Sequence, residues 1–473
     1  MQLAATCGAP DRRGAVLAGL GAASALLLVW GSTGAGNAAR ELGAVLAAAC
    51  VGGVAVGWVA LDARFGQWHA GWVLALGLVL RLIAVQASPL LEDDHHRYLW
   101  DGLRTATALD PYRLPPSAYF GEPGLAPLWQ DILSGINNPH IPTIYGPVLQ
   151  WLFALAHQIA PGRVGALQGL LLVADMAVLG VLAWQGVASR ALLIYALHPL
   201  VLKEAMASAH PDGLVALWLL LALVAWQRQR AFWLGVLLGL AVCTKVAALV
   251  VLPLLLLAPD AGLRRARWRW AWPASVLPGL VVTVIVLYAP FVWAGGSDAT
   301  ALAVFGSAWR FNPLLYRAIE LLLPVPLVRP VAALAIVAGI AALAAWWQRQ
   351  REKGDITGEM RAIPPLDIAF WWLLLLSPVV NPWYWLWGMA LSVRCGRLGL
   401  AATCGVAVLA YGNSTVLAAA AAGAFAAAAW PYAVPWPLAA VQAVALLAAG
   451  WWSLSAATPP ATRVGWPTKR RRC

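Results

Sequence analysis

Long apolar runs recur along almost the whole chain, from Gly14 to Ser453. Each holds roughly 18 to 25 residues, and a helix of that length crosses a hydrocarbon core about 30 Å thick. Hydrophobic residues make up 62% of the sequence and charged residues only 11%, which lies outside the composition of soluble globular proteins. The sequence therefore predicts an all-α, polytopic transmembrane helix bundle of about 11 to 13 spans, forming a single integral membrane domain over residues 1–473. The predicted spans are 14–30, 41–61, 70–88, 143–160, 164–184, 211–227, 231–258, 273–293, 328–347, 366–392, 398–411, 415–430 and 437–453.

The basic residues indicate how the bundle is oriented. The formal net charge is +12, but the lysines and arginines stand in short clusters between apolar runs, so they favour positive-inside topology over a nucleic-acid surface. This places the loop 89–141 outside the cytoplasm, and the loop 348–365 and the basic tail 456–473 within it. The clusters are Arg12-Arg13, Arg228–Arg230, Arg264–Arg269, Arg349–Lys353 and Arg394–Arg397.

Three apolar segments are interrupted. The segment 191–209 contains Pro199 and two adjacent ions, and the alternation of charged flanks requires one segment between 163 and 210 that does not cross the membrane. We expect 191–209 to be re-entrant or short. The segments 231–258 and 366–392 are expected to be pairs of short helices, broken at Lys245 and at Asn381-Pro382.

Other chemistries leave no trace in the sequence. The six cysteines show no paired metal or redox spacing and are predicted to be inert. The sequence contains no glycine-rich phosphate loop and no nucleotide fingerprint. We therefore expect no cofactor and no coupling to ATP within this chain.

The densest group of ionisable residues is the segment LEDDHHRYLWDG, residues 91–102. Asp93 and Asp94 directly follow a predicted helix end, where a partly buried carboxylate with a raised pKa can act as a general base. A solvated charge cluster would have the same composition. A metal site is a third interpretation, but adjacent side chains such as His95 and His96 diverge by about 100° on a helix. The prediction for a bound metal is therefore none.

The loop 89–141 that carries this segment is rich in proline and aromatic residues, as in DPYRLPP at 110–116. A long loop of this composition is expected to be structured and to cover a site at the membrane surface. The alternative is a structured loop that only packs against the bundle.

Ions inside apolar runs form a second set of candidates, because such residues are costly in hydrocarbon and line cavities or pair with each other. Arg81 and Asp175 are predicted to form a structural pair, and Lys203 and Glu204 to neutralise one another. A cationic pocket for a phosphate near the outer boundary is predicted from three further residues, although each would also fit a structural role. These three are His210, Lys245 and Arg310.

The order of several motifs resembles bacterial GT-C glycosyltransferases, particularly the polyprenyl-phosphate-mannose-dependent mannosyltransferase-like group. DDHHRYLWDG followed by LDPYRLPP is similar to the first outer loop of that group, and further blocks follow in the same order over about residues 90–390. They are NNPHIPTIYGPVLQWLFAL (137–155), HPLVLKEAMASAHPDGLVAL (198–217), GLAVCTKVAALVVLP (239–253), SAWRFNPLLY (307–316) and SPVVNPWYWLW (377–387).

The resemblance implies a metal-independent, inverting transferase that takes a sugar from a lipid-linked monophosphate on the outer face of a bacterial cytoplasmic (inner) membrane. The base would be Asp93 or, as the weaker match, Asp94. The implied acceptor is a lipid or glycan. Because His198 and Pro211 stand where the group commonly has asparagine, the sugar identity stays open, with mannose as the default. Candidates for donor phosphate or sugar binding are Arg97, His210, Asp212, Lys245 and Arg310, and candidates for the loop and pocket are Tyr98, Asp101, Tyr112, Tyr145, Lys203 and Tyr384.

Two other functions remain open. A transporter or flippase also uses intramembrane ions and broken helices, and it would be expected to show inverted repeats, which inspection of the sequence does not find. An acyl- or phosphotransferase would need a nucleophilic histidine–aspartate pair, for which His210 and Asp212 are a weak match.

Overall fold

The computed structural model describes residues 11–34, 36–257, 271–352, 363–422 and 433–455. Over these ranges the chain is almost entirely helical, and the nearest approach to a strand is one isolated bridge between Phe311 and Val379. Six of the described helices are long and apolar enough to cross a membrane. The predicted all-α, polytopic fold is confirmed.

Twenty α-helices follow one another along the described chain. They are α1 (Arg12–Ser32), α2 (Ala38–Leu61), α3 (Ala70–Ala84), α4 (Asp94–Ala108), α5 (Pro127–Ser134), α6 (Pro147–Ile159), α7 (Val164–Trp184), α8 (Ser189–Ala196), α9 (Gly213–Gln227), α10 (Ala231–Thr244), α11 (Leu252–Leu255), α12 (Ala271–Trp293), α13 (Ala299–Ala308), α14 (Tyr316–Leu322), α15 (Val325–Glu352), α16 (Leu366–Leu376), α17 (Leu386–Arg394), α18 (Leu398–Thr403), α19 (Ser414–Ala422) and α20 (Trp436–Ser455).

The six candidate spans are α1, α2, α7, α12, α15 and α20, and each coincides with a predicted apolar run. Other predicted spans are shorter helices. The run 143–160, for example, becomes the 13-residue helix α6, because Pro147 occupies the first helical turn, where a missing N–H costs nothing. Several predictions lie outside the described residues: the cluster Arg264–Arg269, most of the loop 348–365, the end of the run 415–430, and the tail 456–473.

All three predicted interruptions are present. Helix α8 ends before Pro199, and the chain continues as the π-helix Val201–Ala207. Helix α10 ends at Lys245, whose backbone is extended, and a 3-10 helix follows at Val246–Val251. Helix α16 ends at Leu376, and a 3-10 helix at Pro382–Trp385 leads into α17. These breaks bring polar backbone and side chains into the interior, which is tolerated where they line a cavity or are buried in protein.

Close contacts at two glycines hold α4 and the start of α6 against the bundle. A Cβ on Gly102 of α4 would lie 2.5 Å from the backbone oxygen of Phe153 in α6. A Cβ on Gly146, just before α6, would lie 2.2 Å from the backbone oxygen of Cys243 in α10. Helix α4 therefore packs directly on α6, and the start of α6 packs on the break after α10.

One expectation about a buried pair of charges is confirmed. The guanidinium Nε of Arg81 lies 2.5 Å from a carboxylate oxygen of Asp175, and both side chains are buried. The hydroxyl of Tyr195 donates a hydrogen bond of 2.5 Å to the other oxygen of Asp175. Among the described residues the four cysteines Cys50, Cys243, Cys395 and Cys404 are free.

Candidate active site

A cavity of about 880 Å³ lies beside the start of α4. Its volume falls within the range of ligand pockets, roughly 300 to 1,000 Å³. One side carries the carboxylates that precede and begin α4, together with the extended segment before α6. Another part of the lining, which we call the apolar wall, is formed by the end of α10 and the break after it, by α13 and by the end of α16. The apolar wall consists of Val242, Val246, Ala247, Leu302, Phe305, Leu373 and Leu374.

The two adjacent aspartates of the acid segment both line the cavity, but their surroundings differ. The side-chain amide of Asn137 donates to Asp93 Oδ1 at 2.5 Å and to Asp94 Oδ1 at 3.2 Å. The second oxygen of Asp94 accepts a hydrogen bond of 3.1 Å from the Tyr145 hydroxyl. The second oxygen of Asp93 has no such partner in the part of the chain that the structure describes.

These surroundings separate the acidities of the two groups. Burial, reinforced by the neighbouring charge of Asp94, raises the pKa of Asp93 to about 6. Burial also acts to raise the pKa of Asp94, but the nearby His210 ring, with the hydrogen bonds from Asn137 and Tyr145, outweighs it and lowers that pKa to about 2. Burial raises the pKa of the preceding Glu92 to about 8. Of these two adjacent aspartates, Asp93 is thus the one that gains and loses its proton closer to neutral pH.

His210 lies in the turn between the π-helix and α9 and is fully buried. Its Nδ1 is 3.2 Å from Glu204 Oε2, and its Nε2 is 3.7 Å from Asp94 Oδ2. The ring stacks on Trp383, with 3.8 Å between the centroids. Burial disfavours the charged ring, but the close carboxylates of Asp94 and Glu204 on either side outweigh this effect and raise the pKa of His210 to about 9. The ring of His210 therefore lies next to the acid segment, but His210 does not line the cavity, and its contact with a donor phosphate or sugar stays a prediction.

Lys203 and Glu204 form the predicted pair, with 3.2 Å between Nζ and Oε2. The two residues belong to a larger group than the sequence predicted. The Lys203 ammonium also lies 4.0 Å from Glu92 Oε1 and contacts the hydroxyl of Tyr411, which in turn donates to both oxygens of Glu204. The cluster thus extends from the acid segment to the interior without an exposed charge.

A metal ion would require a different set of ligands from the four adjacent residues 93–96. Glu92, Asp94 and His210 each offer one ligand atom within 4.8 Å of the others, and they form such a group among the described residues. A metal-bound imidazole must be neutral, whereas this ring lies between two carboxylates that favour its protonated form. The Lys203 ammonium, 4.0 Å from Glu92, supplies further positive charge. The donor set therefore fits a metal ion poorly.

Lys245 extends into the cavity from the break after α10. Its Nζ lies 3.6 Å from Asp212 Oδ1, and Trp387 donates a hydrogen bond of 2.7 Å to the same oxygen. The ammonium is 4.9 Å from the ring centre of Tyr145 and 5.7 Å from that of Tyr384. The structure brings Asp212, Lys245, Tyr145 and Tyr384 together as one group facing the acid segment.

The structure does not bring Arg310 to this group. Its guanidinium lies 2.5 Å from Glu320, and the side chain is 46% exposed. The neighbours Trp309 and Phe311 line the cavity instead. Since Phe311 forms an extended bridge to Val379, successive side chains alternate in direction, and Arg310 points away.

Arg97 and Asp101, on α4, stabilise the loop. The guanidinium of Arg97 lines the cavity and donates to the backbone oxygens of Ile141 and Asn138, at 2.8 and 3.4 Å. Asp101 is buried behind it and accepts a hydrogen bond of 3.3 Å from Gln150. These contacts hold the chain before α6 and the start of α6 in place, and part of this chain lines the cavity.

Tyr98 and Tyr112 lie outside the cavity lining. The ring of Tyr98 stacks on Phe153, with 4.8 Å between the centroids. The hydroxyl of Tyr112 donates a hydrogen bond of 2.8 Å to the backbone oxygen of Tyr145. These two predicted loop residues therefore support the position of Tyr145 and do not line the cavity.

Sequence reasoning missed several residues of the site. Asn137 and Trp383 stand in motifs that were recognised only as blocks, NNPHIP and NPWYW. Glu92 belongs to the acid segment itself. Tyr411, 207 residues away from Glu204, stands in no motif that could have identified it.

The fold and the cavity define a polytopic membrane protein with a buried acid–base site next to an apolar wall. The chain matches the family model of the alpha-(1->6)-mannopyranosyltransferase N-terminal domain, the MptA_B family, over residues 12–260, which is more than half of its 473 residues. It belongs to this family, and the resemblance to mannosyltransferases is confirmed. Neither a curated protein nor a solved structure matches the chain significantly.

Proposed function

We propose that this protein is a GT-C type hexosyltransferase that moves mannose from a polyprenyl-phosphate donor to a lipid or glycan acceptor on the outer face of a bacterial cytoplasmic membrane. The observation that carries the proposal is the pair of adjacent aspartates with different acidities, which line the same cavity as Lys245 and the apolar wall.

The acidities support Asp93 as the general base. Its pKa of about 6 leaves it ionised at neutral pH yet basic enough to accept a proton, as a general base requires. Its second oxygen is available in the cavity, whereas Asp94 has contacts on both oxygens. In the reaction, Asp93 takes the hydroxyl proton of the acceptor while the acceptor oxygen bonds to the anomeric carbon. The bond from that carbon to the phosphate oxygen breaks on the opposite side, and the lipid monophosphate leaves with the bonding electrons.

The position of Lys245 supports a role for its ammonium in binding the leaving phosphate. Its side chain is 15% exposed, toward the cavity, and Asp212 beside it is fully buried. A positioned ammonium stabilises the charge that develops on a departing phosphate. The next residue, Val246, belongs to the apolar wall, so a phosphate at Lys245 would place its lipid chain directly against apolar side chains.

Helix α9 supports the proposed orientation. It begins next to Asp212 and ends at Gln227, before the basic cluster Arg228–Arg230. Its 15 residues separate the two ends by about 22 Å. Since basic clusters mark the cytoplasmic side, the site is expected near the opposite, outer side.

Reconstitution tests the proposal. Purified protein in nanodiscs is incubated with radiolabelled polyprenyl-phosphate mannose, the corresponding glucose donor, and a bacterial membrane lipid extract. Transfer of label into a new glycolipid or polymer, abolished by Asp93→Asn, supports the proposed activity. Label that crosses the bilayer of proteoliposomes unchanged would instead indicate a transporter or flippase.

A further inference from the structure

Glu204 has no part in the proposed steps, yet it is among the most enclosed charges of the described chain. Its side chain is fully buried and does not line the cavity. The π-helix Val201–Ala207 presents Glu204 and the adjacent Lys203 to the same cluster. Such helices are rare and occur frequently at functional sites.

The contacts of Glu204 converge on His210. Besides the side-chain contact of 3.2 Å, the backbone N–H of His210 donates a hydrogen bond of 2.9 Å to the backbone oxygen of Glu204. Ala209, the residue before His210, has a φ of +57°, a left-handed conformation that is unfavourable for a residue with a Cβ. Trp383 stacks on the ring from another side. The turn is therefore held in one conformation by its surroundings.

We propose that Glu204 is a positioning residue that fixes the protonated ring of His210 against Asp94, so that Asp94 remains an anion and Asp93 alone acts as the base. This inference rests on the proposed function, since it assigns a role within that reaction. The titratable and charged groups around the ring are Asp94, Glu92, Glu204, Asp93, His95, Asp212, Lys203 and Tyr98.

The charge of Glu204 is central to this arrangement. With a neutral residue in its place, the ring keeps Asp94 as a contact but loses a carboxylate partner, so it gives up its proton at a lower pH. Once the ring is neutral, Asp94 is no longer compensated. The two adjacent aspartates then compete for one proton, so Asp93 no longer acts as the base by itself.

The first test compares Glu204→Gln with wild type across pH 5 to 10, using the transfer assay. We expect the alkaline decline of activity to begin about one pH unit lower, so that kcat falls about twofold at pH 8 and about tenfold at pH 10, while the donor KM changes less than about threefold. Asp367→Asn is the matched control, because Asp367 is also fully buried and paired, with 2.6 Å to Arg397, but does not line the cavity. This control is expected to leave the alkaline decline at its wild-type pH. A Glu204→Gln profile that coincides with wild type overturns the proposal.

A second test does not depend on activity. The chain has seven histidines, so histidine-selective NMR labelling resolves their titrations, and His210→Gln assigns the relevant signal. In Glu204→Gln the His210 signal is expected to titrate about one pH unit lower than in wild type. Should that variant fail to fold, Glu204→Asp decides the question, because the shorter side chain keeps the charge but draws the carboxylate away from the His210 ring, which it contacts at 3.2 Å in the wild type. It should move the titration in the same direction by a smaller amount, and an unchanged titration overturns the proposal.

The two tests separate this inference from the proposed function. A shifted His210 titration together with no transfer from any polyprenyl-phosphate sugar refutes the proposed donor and leaves the Glu204–His210 coupling established. Transfer by the wild type, with neither the pH profile nor the titration altered in the variants, refutes the positioning role alone.

Discussion

Replacing Asp93 with asparagine exchanges one carboxylate oxygen for an amide NH2 group and keeps the shape of the side chain. Asn137 donates to Asp93 Oδ1 at 2.5 Å, and the amide oxygen of the variant can accept the same hydrogen bond. Folding and donor binding are therefore expected to remain close to wild type. The group that accepts the proton is lost, and general bases contribute about 10²- to 10⁴-fold to rate. We expect kcat to fall by about that factor.

The pH dependence of the wild type tests the same assignment. Since Asp93 must be ionised to accept a proton, and its pKa is raised to about 6, transfer should reach its plateau above that pH. Below it, the rate should fall about tenfold for each further pH unit. Were Asp94 the base, with a pKa of about 2, the rate would stay flat between pH 4 and 7.

The assay measures transfer of label from polyprenyl-phosphate mannose, with donor binding followed separately by equilibrium titration. Asp131→Asn, an exposed carboxylate on α5, serves as a control for the loss of one negative charge. More than about a tenth of wild-type kcat in Asp93→Asn would refute the assignment, as would a flat profile across pH 6.

Three further changes test other parts of the site. Lys245→Met keeps most of the side-chain volume but removes the ammonium. We therefore expect the donor KM to rise about tenfold or more in initial-rate measurements. An unchanged donor KM would contradict phosphate binding at Lys245. Arg310→Ala should leave donor KM and kcat within about twofold, since Arg310 is paired with Glu320 outside the cavity, whereas a large loss would restore the role implied by its motif. Gly102→Ala should lower the free energy of unfolding by about 1 to 3 kcal/mol, because the added Cβ would lie 2.5 Å from the backbone oxygen of Phe153. The measurement is the midpoint of thermal unfolding, which should fall. A midpoint equal to that of the wild type would show that α4 and α6 separate easily.

Local patterns predicted the helices and the breaks, because apolar length and proline position act within a few residues. They placed Lys245 correctly at a break. They also named the pair of Lys203 and Glu204 but not its third partner, Tyr411, since contact across 207 residues depends on tertiary packing. Arg310 shows the reverse problem. Its motif was recognised, but the side-chain direction follows from the extended bridge next to it, which no local pattern specified.

The identity of the base illustrates a further limit. Asp93 and Asp94 are neighbours with the same side chain, so residue type alone could not distinguish them. Their difference arises from groups far along the chain. His210 lowers the pKa of Asp94, while burial raises the pKa of Asp93.

The length of α9 has a consequence for the membrane in which the protein works. On the proposed orientation, its 15 residues place the reacting groups about 22 Å above the inner boundary of a hydrocarbon layer about 30 Å thick. An upright helix thus puts the chemistry about 8 Å below the outer surface of that layer. A donor phosphate, which normally rests among the lipid headgroups, would have to descend by this distance. Thinner bilayers shorten the descent, so the lipid chain length of the host membrane is expected to set how readily the donor is captured.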